Sequence, residues 1–378
     1  MKSLIFCGLL LLSIPVFGQR LTKADYLSDL DYLKDTLPKR HINLFAKISP
    51  AAFDRAVDSI KSGIGPADED NFIVALYRLM VAIGDEHTHI EPVFTRTLPI
   101  QFEEFSEGFF VAGKDSALVG IGGHDIKEVI RRFKTIIRSE NPSFFSSRLL
   151  TMLNNPSVLK GLQLTDSASF AIYQLRGADG KTVDRLVRAV PVVKKEENAR
   201  SYTYSYDQRS GTLYFDYLEC KEDQASPFAA FNQELFSVIR DKHPKRLVVD
   251  LRNNSGGNSG ILTPFLDSLK TSNVNASGKL FVLIGKQTFS SAIMNAVDLK
   301  RNTHAILVGE PTSGSINHYG EVRGFHLPHS RMIIGYSTRY WENWPGHDGP
   351  LRPDVVIGYS EKNSIRGIDE ALRYVNTH

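Results

Sequence analysis

The chain has 378 residues, 42% hydrophobic and 23% charged, with a formal net charge of +3. This is the composition of a soluble globular protein long enough for two or three domains, each with its own core. Lysines and arginines are spread along the chain, so no basic stripe points to nucleic acid.

The first residues stand apart. A short basic start, Met1-Lys2-Ser3, leads into the apolar stretch 4–17, and Val16-Phe17-Gly18 supplies small residues at the position a signal peptidase reads. Residues 1–18 therefore read as a secretory signal peptide, too short for a membrane span, with cleavage expected after Gly18. Cys7 lies early in the apolar stretch, not at the end where a lipoprotein anchor would need it. Cys220 alone remains in the mature chain, so no internal disulfide is expected. The product is expected outside the cytoplasm, periplasmic or secreted, without a stable membrane span.

From Thr22, Tyr26, Leu30, Leu33 and Leu37 recur on one helix face, and Pro38 is expected to end that helix. Ser49-Pro50 has the form of a helix start, continued by Phe53, Val57 and Ile60. A third helix is predicted from near Asp68, with Phe72, Leu76, Leu79 and Ile83 inside and Gly84 as its stop. Immediately after come His87 and His89. They lack a third ligand at useful spacing, so no metal is expected. His87 can be a solvated loop residue or a general base with a near-neutral pKa.

The middle region, 93–197, gives short strands at 109–111, 117–119 and 170–173, a helix over 125–133, and helix and loop over 149–164. No residue there announces chemistry. Beyond it, strands at 213–215, 247–249, 280–284, 305–308, 332–334 and 355–357 alternate with helices after Ser226-Pro227, over 261–271, after Ser290 and over 367–375. Such alternation predicts a largely parallel sheet, whose ligands sit at the carboxyl ends of the strands. The turn Asn254-Ser255-Gly256-Gly257 and the serine Ser290 both fall there. Ser290 has two readings. It can cap the helix that follows, or it can be a nucleophile beside the backbone donors of that helix start. Asp250 and Arg252 read as a structural ion pair, and Cys220 as a small buried hydrophobe.

On these motifs the chain resembles the S41 peptidases, the tail-specific or C-terminal processing proteases. Val248-Val249-Asp250-Leu251-Arg252-Asn253-Asn254-Ser255-Gly256-Gly257 resembles that family's strand and oxyanion turn, and Phe289-Ser290-Ser291-Ala292 its nucleophile motif. Val308-Gly309-Glu310-Pro311-Thr312 and Leu351-Arg352-Pro353-Asp354 are similar to its later elements. His41-Ile42-Asn43-Leu44-Phe45 and the segment 84–88 resemble the N-terminal region of bacterial members. The resemblance implies an α/β fold. It consists of a ClpP/crotonase-like catalytic core (198–378), an N-terminal helical domain (19–92) and a small PDZ-like middle domain.

By the same resemblance Ser290 is the nucleophile, and the N–H groups of Ser291 and of Gly256 or Gly257 form the oxyanion hole, each donor worth roughly 3 kcal/mol in the transition state. Ser313-Gly314-Ser315 stands where family members with a serine–lysine pair carry the lysine. The chain thus resembles the non-lysine, tricorn-core-like branch, with His87 as base. Asp348 is the first candidate for the acid that orients it, and Glu342, Glu86 and Glu310 are alternatives. Gly314, His318 and Tyr319 are candidates for the substrate cleft, although the polar loop–strand region around His318, His326 and His329 reads first as surface.

The implied function is an exported serine endopeptidase acting on peptides or unfolded proteins, with no cofactor or metal. Two alternatives remain. One is an inactive peptide- or ligand-binding protein on the same fold. The other is a crotonase-like acyl-CoA enzyme, which an export signal disfavours.

Overall fold

The computed structural model describes residues 21–65, 69–193 and 200–378. The leader at 1–18 and the helix start at Asp68 lie outside them.

Three helices open the described chain: Lys23–Arg40, Pro50–Gly63 and Glu69–Ile83. The first begins in a capping box, in which the Thr22 hydroxyl accepts from the Asp25 N–H while the Asp25 carboxylate accepts from the Thr22 N–H. Pro38 lies inside this helix and does not end it. It falls in the last turn, and the His41 N–H still closes on the Leu37 carbonyl at 3.0 Å. Tyr26, Leu30, Phe53, Val57, Phe72 and Leu76 interlock as one buried core.

That core does not close within the N-terminal segment. A long hairpin, His318–His326 against Ile333–Trp341, lays Phe325, Leu327, Met332 and Ile334 onto it. The second hairpin strand also pairs antiparallel with His89–Glu91, setting Ile90 opposite Ile334. The helical unit is therefore completed by residues that sequence order assigns to the catalytic half.

The middle region is an antiparallel sheet in the order Phe102–Phe105, Gly108–Val111, Ser116–Ile121, Phe170–Gly177, Thr182–Arg188. Helices Ile126–Phe133, Pro142–Met152 and Pro156–Gly161 are inserted between its third and fourth strands. Asn141 caps the middle helix, accepting from the Ser143 N–H at 3.0 Å. Its amide also donates to the carbonyls of Thr312 and Ser313 at 3.1 and 2.7 Å. One side chain thus fixes this helix to the loop beyond the catalytic strands.

The main sheet has six strands in the order Tyr202–Asp207, Thr212–Tyr217, Arg246–Asp250, Leu280–Ile284, Ile306–Gly309, Val355–Val356. The first pair is antiparallel and the rest are parallel. Leu280–Ile284 is buried at every position. Leu280, Val282 and Ile284 face the helices Phe228–Lys242, Thr263–Lys270 and Ser291–Asn302, whereas Phe281 and Leu283 face the C-terminal helix through Ala371 and Val375. Burial on both faces explains the unbroken apolar run. Each such side chain contributes roughly 1.5–3 kcal/mol of transfer free energy.

Asp250 and Arg252 form the ion pair read from the sequence, at 2.6 Å, with Asp369 as a second partner at 2.7 Å. Cys220 is buried in the main core. Among the described residues no helix is long and apolar enough to cross a membrane.

Candidate active site

Leu280–Ile284 leads through a tight turn to Ser290, the residue before helix Ser291–Asn302. Ser290 has φ +52° and ψ −126°, and its side chain makes no capping bond. The capping reading fails on this geometry. A non-glycine residue held at positive φ has a strained backbone, and among the described residues nothing accepts from or donates to this hydroxyl.

The strain is fixed from the neighbouring strand end. The Thr288 hydroxyl donates to the Leu251 carbonyl at 2.8 Å, and the Phe289 N–H to the Asn254 carbonyl at 3.1 Å. The Ser291 hydroxyl donates to the Gly257 carbonyl at 2.7 Å. Asn254 is fully buried. Its amide donates to the Tyr217 carbonyl at 2.9 Å, and its Oδ1 accepts from the Gly256 N–H at 2.9 Å.

That last bond separates the two candidate glycines. The Gly256 N–H is occupied by Asn254, which corrects its expected place in an oxyanion hole. No acceptor among the described residues takes the N–H of Gly257 or of Ser291. Gly256 serves by its size instead: it lies flat against Ser290 and Phe289, where any side chain would collide.

Ser290 opens onto a cavity of about 560 Å³ that is also lined by His87, Asp85, Glu86, Ser255 and Arg148. His87 follows the third helix and is 6% exposed. Its ring lies between Phe289 and His318, with centroids at 4.5 and 4.9 Å. Both ring nitrogens are buried without a hydrogen-bond partner among the described residues. Burial, and then the neighbouring His318, hold its pKa down to about 3, so the ring is neutral. His89 also lines the cavity, with its Nδ1 on the His87 carbonyl at 2.7 Å and its Nε2 on Glu91 at 2.9 Å. Among the described residues no cluster of histidine, cysteine and carboxylate side chains is arranged to hold a metal.

The structure does not bring the expected acid to His87. Asp348 and Glu342 are exposed in the loop after the hairpin and make no bond to the ring. Glu310 pairs with Lys286 at 3.2 Å. Glu86 accepts from the Ser315 N–H at 3.0 Å and its hydroxyl at 3.2 Å.

The buried carboxylate nearby is one the sequence reading passed over, Asp85. It accepts from His41 Nε2 at 3.1 Å, from the hydroxyls of Thr88 and Ser337 at 2.6 Å each, and from the His87 N–H at 3.1 Å. Burial opposes its charge, but these bonds outweigh it and hold the carboxyl below its usual range. Since the Asn43 N–H donates to His41 Nδ1 at 2.9 Å, the His41 proton sits on Nε2, facing Asp85. Asp85 thus ties the end of the first helix, the His87 loop and the hairpin together. The only sequence signal was its place one residue after Gly84 in the motif around His87.

The three substrate-cleft candidates also move. Gly314 packs beneath Phe289, where a Cβ would lie 2.9 Å from the ring. His318 is buried behind His87, not at the surface, with Nδ1–H donating to the Ser315 carbonyl at 2.9 Å. The Tyr319 hydroxyl accepts from the Asn43 amide at 3.0 Å. None of the three lines the cavity; His318 reaches it only through His87. His329 is engaged by Asp25 and Ser28.

This architecture is the fold of mature CPAF. Among solved structures, mature CPAF matches with a TM-score of 0.65, 12% identity, and coverage of 94% of this chain and 96% of its own. Mature CPAF complexed with lactacystin matches at 0.66 and 12%, over 94% and 97%. A photosystem II D1 C-terminal processing protease aligns over 94% of this chain and 96% of its own, at 13% identity and a TM-score of 0.44. No protein-family model and no curated protein matches the sequence.

Proposed function

We propose that this protein is an exported serine endopeptidase with Ser290 as nucleophile and His87 as general base. The observation that carries the reading is the uncapped hydroxyl of Ser290, held at positive φ on the wall of the cavity that His87 also lines. The likeness to mature CPAF supports the fold on which such a site is built.

In this reading Ser290 Oγ attacks a peptide carbonyl while His87, neutral at rest, accepts the hydroxyl proton. The tetrahedral oxyanion is met by the N–H groups of Gly257 and Ser291. His87 passes its proton to the leaving amine. It then takes one from the water that attacks the acyl ester, and the acid product leaves with Ser290 restored. Asp85 favours the transient imidazolium through its charge, while burial and His318 oppose it.

The test is hydrolysis of a diverse peptide mixture by the chain without residues 1–18, read by mass spectrometry, beside Ser290→Ala and His87→Ala. Loss of cleavage in both variants is expected. Cleavage that survives His87→Ala removes the base assignment, and cleavage that survives Ser290→Ala removes the peptidase reading. Lactacystin, with which mature CPAF has been complexed, is the first ligand to try against Ser290. That neither His87 ring nitrogen has a hydrogen-bond partner among the described residues favours a second reading, a peptide-binding protein with an unactivated serine. It requires that folded wild type bind peptides without cutting them, and that Ser290→Ala bind them equally.

A further inference from the structure

The cavity beside Ser290 is asymmetric in charge. Its acids are engaged: Asp85 accepts four hydrogen bonds, and Glu86 two from Ser315. One of its arginines is not paired with a carboxylate. Arg148, on helix Pro142–Met152, stands over the rings of Phe144 and Phe289 at 5.3 and 5.5 Å, and Phe289 is the residue next to Ser290. Among the described residues no carboxylate lies within ion-pair distance of Arg148, although Glu86 on the same cavity acts on it through its charge. On the same wall Arg138 has a buried guanidinium nitrogen without a hydrogen-bond partner among the described residues, and it pairs with Glu140 at 3.4 Å. Apolar side chains, among them Met80, Ile136 and Met152, supply the rest of the surface.

A guanidinium presents planar donors that match a carboxylate, and two aromatic faces hold this one in place. The helix that carries it is itself pinned to the catalytic loop through Asn141. Arg148 is exposed at the cavity wall, so its donors are open to an incoming ligand. We propose that Arg148 is the specificity determinant of the site and selects peptides that present a carboxylate next to the bond facing Ser290, with apolar residues around it. This rests on the peptidase reading for the bond that is cut, but not for the recognition itself. The carboxylate can be an acidic side chain or the end of a peptide chain, and the chemistry at Arg148 is the same.

The experiment uses apolar hexapeptides carrying one Glu or its isostere Gln, each made with a free C-terminal acid or an amide. Hydrolysis is measured with wild type, and binding of fluorescein-labelled copies is measured with Ser290→Ala. Carboxylate-bearing peptides are expected to be favoured at least ~10-fold in both assays. Adding Arg148→Gln should bring that ratio to about one, and Arg148→Lys should retain part of it. A preference that follows Glu over Gln assigns the side chain, and one that follows acid over amide assigns the chain end. Equal handling of charged and neutral peptides by wild type overturns the proposal, as does a ratio that Arg148→Gln leaves unchanged in protein shown to be folded. A charge preference in binding without any hydrolysis would sink the peptidase reading and leave Arg148 assigned.

Discussion

A Cβ built on Gly256 would lie 2.8 Å from the Cβ of Ser290, closer than two unbonded carbons approach. The glycine turn and the serine are thus one mechanical unit: the turn can take no side chain, and the serine can take no relaxed backbone.

Gly256→Ala should accordingly lower stability by about 1–3 kcal/mol and remove most hydrolysis, because its φ of +110° and the collision both resist a methyl group. Ser290→Gly should do the reverse to stability. At φ +52° a glycine relieves strain of about 1–2 kcal/mol against an entropic loss of about 0.5–1, so the variant should melt no lower than wild type while losing activity. Thermal unfolding of the pair checks both, and a Ser290→Gly protein clearly less stable than wild type would show that the serine is not strained.

Acid stability should carry the signature of His87. Its pKa falls from 6.5 to about 3 on folding, so between those values the unfolded chain holds the extra proton. The stability gained by burying the neutral ring is complete above pH 6.5 and is lost as pH falls toward 3, at up to roughly 1.4 kcal/mol per pH unit. Urea unfolding should give wild type about 2 kcal/mol less stability at pH 5 than at pH 7.5 from this group, and His87→Phe should flatten that step. Asp85 has the same sign but acts lower, below its usual 3.8, and so should persist in the variant. A His87→Phe protein with the wild-type slope between pH 7.5 and 5 would contradict a dry, neutral ring.

Replacing Asp85 with Asn should cost about 3 kcal/mol, since His41, Thr88 and Ser337 lose a charged acceptor in a buried place. Because the same carboxylate sets the His87 loop, kcat should fall more than the stability loss explains. Kinetics at a temperature where the variant is fully folded separate the two effects. Unchanged kcat there would make Asp85 purely structural.

The C-terminal half is readable because parallel strands buried on both faces leave unbroken apolar runs, as at residues 280–284. Ser290 was readable as a candidate for the same reason: it follows such a run and precedes a helix. What escaped was set by contacts distant in sequence. His318 sits among polar residues, so nothing local says that its ring will stack on His87. The strand His318–His326 mixes glycine and charge and places Glu321 at φ +54°, which hides its alternation. Asp348 was chosen by its position near Pro353-Asp354, and position along a chain does not make a side chain reach inward. Arg148 had one faint signal, a lone charge in the apolar run of helix Pro142–Met152, in a region read as free of chemistry.

The hairpin that closes the N-terminal core has one more consequence. His87 leads into a strand, His89–Glu91, whose partner is Ile333–Trp341, and the ring leans on His318. A chain is synthesised and folds from its N-terminus, yet here the first third cannot finish its own core, or seat its histidine, until residue 341 has arrived. The serine at 290 emerges earlier and waits. The cavity wall shared by Ser290 and His87 is therefore completed last, by the meeting of segments far apart in the chain.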